Sequence, residues 1–233
     1  MTQKILFLRV GIDSGSGGTL GPVFRNDEFE YIPIPENDGR KSSRSVYYNR
    51  LKARYHTGTL EKFVPKKYQQ AAVHHDPEFE TFTYGDPGRN KRLQLLRLTK
   101  GDYLVFYAGL KPFDFKAPNR LYIIGYLTID QVHEISECES WPPVKYEHLA
   151  KNAHIRRNSY DPGLVIAQGQ ANYSYLFKKA VPFSTEQYEV LPDITAIIGL
   201  TGSVMRAGAG RWVPENKVGD AIAWIEEIRK ANT

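Results

Sequence analysis

Hydrophobic and polar positions along this chain fall into short strand-like runs more often than into helical stripes. Residues 101–129 carry the clearest pattern: GDYLVFYAGL and RLYIIGYLTI flank a polar excursion from Lys111-Pro112 to Asn119-Arg120. Tyr, Val, Ile and Phe dominate both runs, and each is too short and too closely bounded by breakers for a core helix. The two predict a hairpin-linked strand pair. KILFLRV, residues 4–10, predicts an opening strand that runs into the loop Gly11–Gly21. A second strand is expected over Glu28–Ile34, with Pro33 and Pro35 at its end.

Between these runs the pattern weakens. Residues 36–45 are polar and turn-rich, and 46–70 mix Tyr, Arg and Lys with weak helical character bounded by Pro65. The segment 74–90 is dense in turn formers, and Arg92–Leu98 reads as a short strand or turn. Beyond the central pair come a Trp-Pro-Pro turn, a helix at about 145–153, a strand over 163–168 and another over Tyr175–Lys179. The last element is the plainest helix. Val218, Ala221, Ile222, Ile225 and Ile228 recur at three- and four-residue spacing, with Glu226, Glu227, Arg229 and Lys230 on the other face. It is expected over about 216–231, capped by Asn216. No internal repeat or linker interrupts the chain, so residues 1–233 are expected to form a single α+β domain.

Composition narrows the class. A chain of 233 residues with 41% apolar and 24% charged residues suits a globular protein with a substantial core. No apolar run reaches the roughly 20 residues of a membrane span, and the N-terminus resembles a first strand more than a signal peptide. Cys138 is the only cysteine, which rules out internal disulfides and disfavours a thiolate metal site. A cytoplasmic protein without membrane partners is expected. Charge is uneven: residues 40–120 hold 17 Lys and Arg against 7 Asp and Glu, while the rest of the chain nets −5. Such a basic segment suits a polyanion on one face, or is simply a solvated surface.

Three constellations could carry chemistry. RVGIDSGSGGTLGPVF, residues 9–24, places five glycines within eleven residues, so that main-chain N–H groups near Asp13, Ser14, Gly15, Gly17 and Gly18 can converge on an anion. No Gly-Lys-Ser/Thr follows, and the Rossmann register is missed. Ile12-Asp13-Ser14-Gly15 echoes the aspartic-protease turn, but no second copy supplies the partner carboxylate. HHDPEFETFTYGD, residues 74–86, gathers His74, His75, Asp76, Glu78, Glu80 and Asp86. Metal binding, acid–base work and base recognition all need such convergence, yet the spacing matches no zinc signature and Pro77 spoils a regular strand. No metal or cofactor is expected. The basic stretches around Arg50, Arg54, Arg92 and Arg156, some interleaved with tyrosines, are candidates for phosphate contact and base stacking.

Two resemblances add to this reading. The Gly-Asp turn, the aromatic-rich strand and the strand with central Gly125 resemble the PUA, EVE and YTH class of small barrels, whose members hold nucleic-acid bases or modified nucleotides. This implies a mixed, barrel-like sheet with peripheral helices. LRVGIDSGSGG, FEYIPIPE, the HDPEFE and TYGD pieces, and GDYLVFYAGL with YIIGY together resemble the nucleotide modification associated domain 3 family, which is associated with DNA base modification systems in microbes and their viruses. The resemblance spans roughly residues 4–130. It implies that Arg9, Asp13, His75, Asp76, Glu78, Tyr84 and Asp86 line a nucleotide pocket. The expected function is recognition of a modified or flipped base in nucleic acid, DNA favoured, or of a nucleotide. The alternative is an enzyme that modifies a nucleobase with the acids and histidines of 74–86.

Overall fold

The structure, a computed structural model, describes residues 2–138, 140–142, 144–206 and 208–232. The opening run forms β1 (Ile5–Val10), and after an excursion the chain returns as β2 (Gly21–Val23). Three short strands, β3 (Ile34–Pro35), β4 (Val46–Tyr47) and β5 (Ala72–His74), make a small sheet in the order β3-β5-β4. Then follow β6 (Thr83–Asp86), α1 (Arg89–Leu95) and the long strands β7 (Tyr103–Pro112) and β8 (Arg120–Glu134). The chain continues through α2 (Ala153–Arg156), β9 (Val165–Gly169), β10 (Tyr175–Pro182), α3 (Pro192–Ile198), β11 (Arg211–Trp212) and α4 (Val218–Lys230).

The large sheet runs β11-β1-β7-β8-β9-β6, with β2 also on β7 and β10 also on β8. Its centre is the expected pair: β7 and β8 are antiparallel, from Tyr103↔Thr128 to Leu110↔Arg120. β1 lies parallel to β7, from Ile5↔Tyr103 to Val10↔Ala108. Both β1 and the first eight residues of β7 are almost wholly buried, which is why they read as continuous apolar runs without alternation. The main core joins these strands to Phe177, Phe183 and the Val218, Ala221 and Ile225 stripe of α4. The fold is mixed α+β, with few helices. The expected barrel-like closure is absent among the described strands. β8 is 15 residues long and slips register near Ile129, so its first half pairs with β7 and β10 and its second half with β9. Bulges of this kind bend a strand and raise its twist. Here the sheet branches and its path ends at β11 and β6. Among the described residues, no helix is long and apolar enough to cross a membrane.

Several expectations shift. Of the strand expected over Glu28–Ile34, residues 28–33 bury Phe29, Tyr31 and Ile32 but make only isolated bridges, at Glu28 and Phe29, and Ile34 alone enters a strand, β3, opposite His74. Pro33 and Pro35 bring no N–H to a ladder, and β2 takes the place on the sheet. Residues 46–70 form β4 and two 3-10 turns, Leu60–Phe63 and Lys66–Tyr68, interrupted by Gly58 at positive φ and by Pro65. Arg92–Leu98 falls largely in helix α1, whose RNKRLQL sequence has no β-branched residue to oppose a helix. The helix expected at 145–153 is a 3-10 segment, Val144–Leu149, followed by α2, for which Asn152 is the cap. α4 matches its expected span closely, but Asn216 lies within a preceding 3-10 turn and does not cap it. Pro143 of the Trp-Pro-Pro turn lies outside the described residues.

Candidate functional site

The ladder on β7 explains how the glycine loop is placed. Val10 pairs with Ala108, and Gly21 pairs with Leu110 on the same edge. The ten residues between them therefore bulge out opposite a single residue, Gly109. A Cβ at Gly109 would stand 2.9 Å from Leu20 Cδ2, so the loop packs closely over it. Within the loop, Asp13 Oδ1 accepts hydrogen bonds from Gly15 N (2.8 Å), Ser16 N (2.6 Å) and Ser16 Oγ (2.8 Å). Burial pushes the Asp13 carboxyl up, but these bonds and the Arg9 charge outweigh it and hold the carboxyl below its usual range. Arg9 pairs with Asp13 Oδ2 at 3.5 Å and donates to the Met205 carbonyl.

This loop forms one wall of a polar cavity of about 210 Å³, lined by Arg9, Gly11, Asp13 and Ser16 on that side. The opposite wall is His74 and Asp76 from the end of β5, Tyr84, Gly85 and Asp86 from β6, Lys91 from α1 and His154 from α2. Lys91 Nζ lies 3.3 Å from Asp86 Oδ2 and 3.2 Å from the Tyr84 hydroxyl, which in turn lies 3.2 Å from Asp86. Burial, then the Asp86 and Asp76 charges, push the Tyr84 phenol far up, so it stays neutral.

The cavity floor is a buried network of charge. Asp76 accepts from Gly85 N through both oxygens, at 3.1 and 3.0 Å. His154 Nε2 stands 3.5 Å from Asp76 Oδ2, and His74 Nε2 3.9 Å from the same oxygen. Behind the imidazoles lies a second layer of carboxylates: His74 Nδ1 meets Glu36 Oε2 at 3.1 Å, and His154 Nδ1 meets Asp161 Oδ2 at 2.7 Å. Arg157 bridges the two acids, with Nε and Nη2 on Glu36 at 3.0 and 2.8 Å and Nη1 on Asp161 at 2.6 Å. Burial raises both carboxyls, but hydrogen bonds from His74 and Arg157 hold Glu36 well below its usual range, and His154 and Arg157 do the same for Asp161. Burial would lower His154, yet Asp161 and Asp76 bring it up to about 9. His74 is lowered, by burial and then by the His154 charge. Such buried charge is costly to assemble without partners, and its concentration beside a cavity is typical of functional sites.

A tight turn explains the division of labour at 74–76: β5 ends at His74, and Asp76 N donates back to the His74 carbonyl at 2.9 Å. Through this turn His74 and Asp76 line this cavity while His75 lines another. That second cavity, of about 600 Å³, is lined by Tyr31, His75, Phe79, Phe82 and Tyr175 together with Lys52 and Arg54. The Tyr31 and His75 rings lie 6.1 Å apart at 30°, and the Tyr31 hydroxyl donates to the Asp76 carbonyl at 2.7 Å, tying the two cavities together.

Of the residues expected at a site, Arg9, Asp13, Asp76, Tyr84 and Asp86 converge on the polar cavity. Glu78 does not line it. Its buried carboxylate accepts from Glu80 N, Thr81 N and Thr81 Oγ1 and so closes its own turn. Ser14, Gly15, Gly17 and Gly18 lie in the loop without lining the cavity, and the N–H of Gly15 is spent on Asp13. Gly17 is packed: a Cβ there would stand 2.3 Å from Ile12 Cγ1. The four phosphate candidates do not meet at one place. Arg54 lines the aromatic cavity, Arg156 lines a small cleft beside Glu36, Arg92 pairs with Glu134 at 2.5 Å, and Arg50 lies over the Tyr47 ring. Nothing in the sequence reading singles out Glu36 or Asp161, and it leaves Lys91, His154 and Arg157 within the basic stretches around Arg92 and Arg156 that are candidates for phosphate contact. Asn152 caps α2 by accepting from the His154 N–H at 3.0 Å, while the imidazole itself is held by Asp161 and the Gly85 carbonyl, partners the sequence does not place. In RAGAGRWVP, residues 206–214, Trp212 packs under Arg97, whose guanidinium is 5.1 Å from the ring; Ala207 lies outside the described residues.

Compared with known proteins, the chain matches the family model for nucleotide modification associated domain 3 over residues 4–221. No curated protein matches it, and no solved structure does.

Proposed function

The chain belongs to the nucleotide modification associated domain 3 family, and on that premise we propose that the polar cavity receives a nucleobase or nucleotide, presented by nucleic acid, DNA favoured. One observation carries this reading. The glycine loop and the 74–86 segment, far apart in sequence, face a single cavity. Its size lies below the roughly 300–1,000 Å³ of drug-sized sites, which suits one ring system or the edge of a nucleotide. Donors and acceptors alternate around it: Arg9 and Lys91 can meet carbonyl or phosphate oxygens, while Asp13 and Asp86 can accept from exocyclic amines. Extruding a base costs a few kcal/mol, and the neighbouring aromatic cavity, with Arg54 beside it, offers a stacking surface that would offset this. The further likeness to PUA and EVE domains rests on the β7–β8 pair and Gly125.

A second reading, an enzyme that alters the base, is favoured by the buried His74, Asp76 and His154 on the floor. A cavity that only reads a base does not require so much buried charge. The test sets both readings against each other. Arg9→Gln and Lys91→Gln would be titrated with nucleoside monophosphates and with modified and unmodified DNA, and the nucleosides weighed by mass spectrometry after incubation. Each substitution removes a charged hydrogen-bond donor and should weaken binding by about 1.5–3 kcal/mol. A nucleoside of new mass made by the unmodified protein establishes the enzyme. Absence of binding to every nucleotide and nucleic acid sinks both.

A further inference from the structure

The floor of the cavity has the layout of a metal centre. His74, Asp76 and His154 each offer one ligand atom, these atoms lie within 4.8 Å of one another, and all three residues are buried. At metal–ligand bonds of about 2.0–2.2 Å, tetrahedral ligand atoms stand about 3.4 Å apart. The two Nε2 atoms lie 3.5 and 3.9 Å from Asp76 Oδ2, close to that spacing.

The outer layer supplies an independent observation. Each imidazole is gripped at Nδ1 by its own carboxylate, Glu36 for His74 and Asp161 for His154, and each has Nε2 on the Asp76 side, that of His154 also 3.2 Å from the Gly85 carbonyl. Carboxylate behind imidazole is the usual way of orienting a metal-binding histidine and fixing its tautomer. With Nδ1 engaged by Glu36, His74 turns Nε2 toward Asp76 Oδ2 at 3.9 Å, too long for a hydrogen bond. Arg157, bidentate on Glu36 and also on Asp161, locks both outer carboxylates to one support.

We propose that His74 Nε2, His154 Nε2 and Asp76 bind one divalent first-row transition-metal ion, with its remaining positions open to the cavity. Two imidazoles and one carboxylate suit zinc, cobalt or ferrous iron, while magnesium and calcium prefer all-oxygen sites. A set of three protein ligands with open positions is the arrangement of catalytic metal sites, whereas structural zinc sites are closed by four. Spacing within residues 74–86 could not reveal it, because the third ligand lies about seventy residues further on. The inference stands on the ligand geometry alone and does not depend on the nucleotide reading.

The test uses the full chain, stripped with chelator and titrated with Co²⁺ and Zn²⁺ without any nucleotide, followed by calorimetry and by the visible spectrum of the cobalt form. One ion per chain is expected, with imidazole-ligated cobalt bands and no competition from Mg²⁺. Asp76→Asn should remove saturable binding. Asp161→Asn, which leaves all three ligands in place, should weaken it about 10–100-fold, with circular dichroism verifying the fold of both. Should either variant misfold, proton resonances of the unmodified protein decide: Co²⁺ must shift those of two histidines. No saturable binding by the unmodified protein, binding unaltered in folded Asp76→Asn and Asp161→Asn, or cobalt that leaves the histidine resonances in place overturns the proposal and leaves a proton-bridged ion cluster.

Discussion

Gly85 shows how much of the site hangs on single residues. Its N–H holds both oxygens of Asp76, and a Cβ at this position would stand 2.8 Å from His154 Cδ2. Gly85→Ala should therefore push His154 out of line at a cost of about 1–3 kcal/mol, the usual range for overpacking. Thermal denaturation of the variant checks this; an unchanged midpoint would mean that the ring moves freely and that its placement is not enforced. The same scale explains what the sequence disclosed. Arg9 and Tyr84 are implied only by the family resemblance, whereas Asp13, Asp76 and Asp86 stand out because polar groups crowd into turn-rich stretches, where function concentrates. His154, Asp161 and Glu36 do not, since each is an ordinary polar residue until tertiary structure buries it. Gly17 teaches the opposite caution: its freedom from a side chain serves contact with Ile12 as much as loop conformation, so replacing it would test packing before binding.

At the level of elements, β8 organises the molecule. Its first half is shared by β7 on one side and β10 on the other, and its continuation carries β9, which in turn holds β6 beneath the cavity. The approach of β10 is possible because residue 125 is glycine: a Cβ there would stand 2.2 Å from the Tyr175 carbonyl oxygen. Unlike a side chain, a paired backbone cannot swing aside. Gly125→Ala should cost about 3 kcal/mol, the upper part of the overpacking range, read as a lower urea midpoint with unchanged slope. A midpoint equal to that of the parent would show that β10 can shift without loss. The long strands were legible because aromatic and β-branched runs buried on both faces leave a continuous pattern. The short elements, β2 to β6 among them, were not: two to four residues are too few for a period, and their pairing is decided by distant partners.

For the whole molecule, the basic excess of residues 40–120 is partly spent internally. Arg40 pairs with Asp161, Arg92 with Glu134, Lys100 with Asp130 and Arg120 with Glu186, all acids outside that segment. The stretch 50–67 keeps Arg50, Lys52, Arg54, Lys62, Lys66 and Lys67 against Glu61, and Lys52 and Arg54 line the aromatic cavity. If nucleic acid lies along this stretch, six cations set the limit, and log K against log salt should fall with a slope no steeper than about −5. A slope near zero in a salt series of binding titrations would remove the polyanion from the picture. Sequence gave the amount of charge; which charges neutralise one another follows only from the fold.

The glycine loop leaves and rejoins one edge of β7 opposite a single residue, so its two ends are fixed by the ladder whatever lies between them. Closing a longer loop across fixed ends is cheap, about 0.6 kcal/mol for each doubling of length. Ile12 is buried and its N–H donates to Ile32, but the stretch of wall that carries Asp13 and Ser16 is an exchangeable part: loops of other lengths and compositions can be grafted between Ile12 and Gly21 while the sheet and the buried histidines stay as they are. Variation in what the cavity accepts can arise there, at little expense to the scaffold.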